Sequence, residues 1–150
     1  MEQIYIIGDV HGCYKSLLAL IEQFPNKQNS KIVFVGDLID RGANSCEVIE
    51  FIINNNYDCV IGNHEELFLE YAPNKDEFGN DFSMEYSPYY FERCGGKATM
   101  ESYKSKEVYS KHYDFIQNLP LYLEYKDYKT KDNRYVVVSQ STGGKTWCLR

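Results

Sequence analysis

One pattern, repeated three times, limits what this chain can fold into. Short apolar runs break off at a glycine followed by a polar residue. Ile4-Tyr5-Ile6-Ile7 leads to Gly8-Asp9, Lys31-Ile32-Val33-Phe34-Val35 to Gly36-Asp37, and Tyr57-Asp58-Cys59-Val60-Ile61 to Gly62-Asn63. Continuous runs of this length, rich in β-branched residues, predict strands buried on both faces. Helical patterns lie between them. Leu17, Leu20, Ile21 and Phe24 form one stripe that Pro25 closes. Asn44 is a candidate N-cap with Glu47 three residues on, followed by Val48, Phe51 and Ile52 and stopped by Asn54-Asn55-Asn56. Right-handed crossovers make the three strands parallel. Sites in parallel sheets form beyond the carboxyl ends of the strands, so Asp9, Asp37 and Asn63 should converge, joined by His11 and His64 from the same loops.

Glu65 to Tyr71 predicts a short helix, and residues 73–90 an irregular surface segment. Gly95-Gly96 breaks the chain before a helical stretch at 97–104. A further helix from Lys106 to Asn118 is expected to turn Val108, Phe115, Ile116 and Leu119 inward, with Pro120 ending it. Leu121–Tyr125, a turn around Asp132-Asn133 and Tyr135–Ser139 predict a hairpin. A length of 150 residues suits a single domain over 1–150.

Charge narrows the partners. A formal net charge of -6 argues against nucleic acid, whose binders are usually basic. It leaves a phosphoprotein or a phosphorylated small molecule open, because metal ions add positive charge that the sequence count omits. No apolar run is long enough to span a membrane, and Met1-Glu2-Gln3 lacks the basic start of a signal peptide. The 5 cysteines include no CxxC pair, which suits free thiols in a reducing cytoplasm.

Asp, Asp, Asn and His together form a mixed oxygen–nitrogen ligand set that suits manganese, iron or zinc better than calcium or magnesium. A shared Asp can bridge two ions about 3.5–4 Å apart, which would hold a hydroxide for in-line attack on a phosphate ester. The stretches Gly8–Gly12, Gly36–Gly42 and Gly62–Glu65 resemble those of the metallophosphoesterases, in particular the phosphoprotein phosphatase branch with its phage and bacterial protein serine/threonine phosphatases. The likeness runs weakly on through Gly95-Gly96 and through Asp114 to Pro120. It implies an α/β, calcineurin-like fold: a mixed β-sheet core with a βαβαβ start and flanking helices. It implies two divalent ions, manganese first, with iron or zinc as alternatives. By position, Asp9, His11 and Asp37 would hold the first ion. Asp37 would bridge to the second, with Asn63 as a further ligand. His64 would protonate the leaving oxygen, Asp40 would orient His64, and Arg41 would grip the phosphate.

Departures from that pattern shape further expectations. Where the family usually has a histidine after the fourth strand, this chain has Gln140, a weaker ligand for transition metals than imidazole. The chain also stops before a later strand that supplies another histidine. A weakened second ion, an incomplete second sheet and self-association through it are therefore expected. Asp40 and Glu65 favour a protein phosphatase over a dinucleoside polyphosphate hydrolase. The remaining alternative is an impaired homologue that binds partners. His112 is expected to be a solvated surface histidine, and Cys13 a packing residue. Gly143-Gly144-Lys145-Thr146 imitates the end of a P-loop, but too few residues follow for the helix such a loop requires.

Overall fold

The computed structural model describes residues 3–79 and 87–140. The tetrad from Gly143 to Thr146, Cys148 and part of the expected irregular segment lie outside them. The start of the chain is as the periodicity predicts: β1 (Ile4–Ile7), α1 (Tyr14–Ile21), β2 (Lys31–Phe34), α2 (Ser45–Asn54), β3 (Asp58–Cys59) and α3 (Asn63–Tyr71). The strands pair in parallel in the order β1-β2-β3, with Tyr5 opposite Ile32 and Phe34 opposite Cys59. A π-helical turn (Tyr89–Cys94), α4 (Gly96–Ser102) and α5 (Lys106–Gln117) follow. An antiparallel hairpin of β4 (Tyr122–Lys129) and β5 (Tyr135–Ser139) makes a small second sheet. No helix among the described residues is long and apolar enough to cross a membrane.

The middle strand shows how two cores arise from one sequence. Successive side chains of a strand point to opposite faces. Ile32 and Phe34 enter the larger core with Leu17, Ile21, Val48, Ile52 and the residues of α3–α5. Val33 enters a smaller core with Val60 and with Val138 of the hairpin, flanked by Val35, Leu123 and Val136. The parallel sheet thus carries helices on one face and the hairpin on the other.

Several expectations need correction. Burial on both faces fails at β1, the outer strand, where Ile6 is 48% exposed. Helix α1 ends at Ile21, before Pro25, and Leu20 of its predicted stripe faces solvent. The buried stripe of α5 is Tyr109, His112, Tyr113 and Ile116, and Val108, Phe115 and Leu119 only flank it. The aromatic hydroxyls make this possible, since Tyr109 Oη donates to the carbonyl of Pro73 at 2.6 Å. His112 is fully buried, not solvated. Its two ring nitrogens meet Tyr103 Oη at 3.1 Å and Glu50 Oε2 at 2.6 Å, so the polar ring has partners inside the core. Cys13 is exposed at the start of α1, not packed.

Candidate metal and phosphate site

The loops that leave β1, β2 and β3 are tied into one unit by backbone hydrogen bonds. The amides of Val10 and His11 donate to the Asp37 carbonyl at 3.0 and 2.9 Å, and that of Gly12 donates to Leu38 at 2.8 Å. Such close approach is why glycines stand here. A Cβ on Gly12 or Gly42 would strike the other loop's backbone, and a Cβ on Gly36 or Gly62 would do the same across the β2 and β3 loops. The non-glycine residues His11, Asp37, Asp40 and Arg41 all hold φ between 47° and 70°. Left-handed backbone at these residues is strain of the kind that gathers at functional sites.

Glu65 braces this unit from beneath. It is fully buried, and its carboxylate accepts the amides of Asp37 (2.8 Å), Leu38 (2.9 Å) and Gly62 (2.9 Å). Burial pushes its carboxyl up to about 7, with the three amides acting in the opposite direction. The bond to Gly62 is one half of a capping box, the arrangement in which the third residue of a helix reaches back to the capping amide. The spacing of Gly62 and Glu65 signals that half. Nothing in it signals the other two bonds.

Above the brace the polar side chains converge. Donor atoms of His11, Asp37 and His64 lie within 4.8 Å of one another. The His11 and His64 rings meet edge to face with centroids 4.7 Å apart. His11 Nδ1 lies 2.9 Å from the Ile39 carbonyl. That bond requires a proton on Nδ1, which makes Nε2 the acceptor nitrogen, and the Arg41 guanidinium meets it at 2.9 Å. Asp9 is at the rim, its Oδ2 3.7 Å from His11 Nε2. Asp37 Oδ1 accepts the His64 amide at 3.0 Å, and its Oδ2 accepts Gln140 Nε2 at 2.8 Å. Gln140 Nε2 is also 3.4 Å from Asn63 Oδ1. Asp37, Asn63 and Gln140 are thus linked side by side, Asp9 stands at the rim beside His11, and the third member of the tight cluster is His64 rather than Asp9.

His64 is buried, and its Nδ1 meets Asp40 Oδ2 at 2.7 Å. The Asp40 hydrogen bond raises the His64 pKa, while burial and Arg41 oppose it. The exposed Arg41 guanidinium spans both rings, 2.9 Å from His11 Nε2 and 3.1 Å from His64 Nε2. Asp40 itself has no exposed surface, and its Oδ1 accepts the Thr99 hydroxyl at 2.7 Å and the Tyr90 hydroxyl at 3.1 Å. Neither Thr99 nor Tyr90 stood out in the sequence, because each comes from a segment without a recognisable motif.

The donor set fits a divalent ion. The His11 imidazole, the Asp9 and Asp37 carboxylates and the amide oxygens of Asn63 and Gln140 match the ligand preferences of manganese, iron or zinc. Gln140 Oε1 adds an independent sign, being buried with no hydrogen-bond partner. Turning that amide over would set an oxygen beside the Asp37 carboxylate, an arrangement that a cation between them would favour.

Residues 3–146 match the family model described as calcineurin-like phosphoesterase. The chain is 41% identical over 76 residues to a symmetrical bis(5'-nucleosyl)-tetraphosphatase of Buchnera aphidicola, covering 48% of this chain and 27% of that protein. It is 45% identical over 67 residues to the protein of the same name from Coxiella burnetii, covering 43% of this chain and 23% of the relative. The chain thus spans about a quarter of the length of these curated relatives. Among solved structures, a metallophosphoesterase from Sphaerobacter thermophilus superposes with a TM-score of 0.53 at 21% identity, over 80% of this chain and 42% of that one. A likeness at that identity speaks for the fold, and the family match extends over nearly the whole sequence: the chain belongs to the calcineurin-like metallophosphoesterases.

Proposed function

We propose that this chain is a metal-dependent hydrolase of phosphoric esters and anhydrides, with dinucleoside polyphosphates as its lead substrate class. The observation that carries the chemistry is the convergence of His11, Asp37 and His64 under the Arg41 guanidinium. The names of the relatives carry the substrate class, over the part of their length that this chain matches. They favour a dinucleoside polyphosphate over the phosphoprotein that Asp40 and Glu65 suggested from the sequence.

Asp9, His11, Asp37, Asn63 and Gln140 would hold two divalent ions, manganese first, with the second more weakly held through the Gln140 amide. Bound there, such ions polarise phosphoryl oxygens and activate water at neutral pH. The chain's own residues do the rest. Arg41 offers a planar fork of donors matched to phosphate oxygens. His64, with Nδ1 fixed on Asp40, points Nε2 toward the same place and donates a proton to the leaving oxygen.

A second reading, phosphoserine or phosphothreonine hydrolysis, rests on that Asp40–His64 pair. An alkoxide leaves poorly without a proton, whereas a nucleoside diphosphate leaves readily. A general acid this firmly oriented matters more to the ester. The 4 described cysteines are free thiols, which suits a cytoplasmic setting. The exposed Leu121 and Tyr122, at the start of β4 in the small second sheet, support self-association.

The decisive experiment compares diadenosine tetraphosphate with a phosphoserine peptide on the manganese-loaded chain. Symmetrical cleavage to two nucleoside diphosphates supports the lead reading, and preference for the peptide supports the second. Calorimetry on Asp37→Asn should show manganese binding lost. Unchanged binding in that variant, with no turnover of either substrate by the wild type, removes the reading.

A further inference from the structure

Asp40 is held more tightly than an orienting carboxylate needs to be. Thr99 Oγ1 accepts the Asp40 amide at 2.8 Å and returns its own proton to Asp40 Oδ1 at 2.7 Å, so one side chain clamps both backbone and carboxylate of the same residue. Ser45 Oγ supports the clamp, 3.2 Å from the Asp40 amide and 3.0 Å from Thr99 Oγ1. Tyr90 Oη adds a donor to Oδ1 from the π-helical turn. The Tyr90 ring is itself seated against Gly96, where a Cβ would collide with it. Thr99, Ser45 and Asp40 are all without exposed surface. The Asp40 backbone is left-handed at φ 70°, a conformation that tertiary contacts must maintain in a non-glycine residue.

We infer that Thr99, assisted by Tyr90, is a positioning residue for phosphoester hydrolysis: it fixes the Asp40 carboxylate, and through it the direction in which His64 presents Nε2 to the leaving group. With Oδ1 occupied by two hydroxyl donors, Oδ2 alone is left for His64 Nδ1. The carboxylate cannot rotate without breaking the Thr99 bonds, so the imidazole has one favoured orientation. Pre-organisation of this kind is what lets a general acid act without reorganising in the transition state. Nothing in the inference requires Thr99 or Tyr90 to touch substrate or metal.

The inference rests on the reading of His64 as proton donor, and the test separates the two. Variants of the full chain, manganese-loaded, are assayed on phenyl phosphate and on p-nitrophenyl phosphate, whose leaving group hardly needs a proton. Thr99→Val should lower kcat on phenyl phosphate roughly 10-fold or more, a part of the ~10²–10⁴-fold that general acid catalysis supplies in full. KM and manganese affinity should stay unchanged, and p-nitrophenyl phosphate turnover should fall far less. Thr99→Ser should restore the loss, and Tyr90→Phe should show a smaller loss of the same kind. If His64→Asn discriminates between the two esters and Thr99→Val does not, the positioning role is overturned and the proton-donor reading stands. If His64→Asn does not discriminate either, the proton-donor reading fails and the inference with it. A second readout is independent of turnover. In the metal-free chain, where no paramagnetic ion broadens it, the His64 Nδ1–H proton should give a downfield NMR signal in the wild type and in Thr99→Ser. It should shift or broaden away in Thr99→Val, and an unchanged signal there overturns the positioning role even in an inactive chain.

Discussion

Glu65 is a carboxylate that spends both oxygens on backbone amides. Read as a sequence letter, it separates family branches. In the folded chain it holds the β2 and β3 loops together, a task that either branch would need. Replacing it by Gln tests that reading. An amide of the same shape can offer only one acceptor oxygen and must turn an N–H toward an amide that is already a donor. Glu65→Gln should lose about 1–3 kcal/mol of unfolding free energy in urea, the cost of leaving a buried donor unpaired. An unaltered urea midpoint would mean that the three amides find other acceptors. The contrast with Asp37 is instructive. Both are buried acidic residues, but Asp37 turns its carboxylate toward His64 and Gln140, where a cation would sit.

Among the elements, legibility follows local periodicity. The βαβαβ start, α3 and the hairpin could be read because each carries its own pattern and its own stop signal. The candidate site was legible for the same reason: its residues lie in short motifs at strand ends. Helix α5 turns a different face inward from the one its periodicity predicts, because Tyr109, His112 and Tyr113 count as polar or ambiguous by residue type. Tyr109 and His112 can be buried only once Pro73 and Glu50 supply partners from elsewhere in the chain, and the Tyr113 ring packs against Phe68. Thr99 and Tyr90 escaped notice on the same grounds. Their importance lies in reaching a residue 50 and 59 positions earlier, which no local window can show.

The α2–α5 contact carries a prediction of its own. Glu50, bonded first by Lys111 and then by His112, is held down at about 2, while burial lowers the pKa of His112. Both shifts mean that the unfolded chain takes up protons more readily than the folded one. Stability should therefore be full near neutral pH. It should begin to fall as His112 becomes protonatable in the unfolded state, near pH 6.5, and fall further from about 4.5 toward 2 as Glu50 is neutralised. Urea midpoints of the wild type and His112→Gln, compared between pH 7 and pH 5, would check the first window. The variant should show the shallower decline, and parallel curves would count against the assignment.

In the whole molecule, the hairpin is attached lightly. Three buried valines, the Tyr125–Asp58 hydrogen bond at 2.6 Å and the Ile61 amide on the Pro120 carbonyl at 2.9 Å join it to the sheet. Yet Gln140, immediately beyond β5, reaches into the site. Seating of the hairpin and completion of the site are thus a single equilibrium seen from two ends. A ligand that requires Gln140 must strengthen the docking of β4 and β5 by as much as undocking weakens that ligand. Amide hydrogen exchange in the hairpin should accordingly slow when manganese is added, most at Val136 to Ser139. Exchange that ignores the metal would uncouple Gln140 from it. Where the coupling holds, a strand remote in sequence from the loops after β1 and β2 becomes the chain's own gauge of occupancy, readable without any substrate.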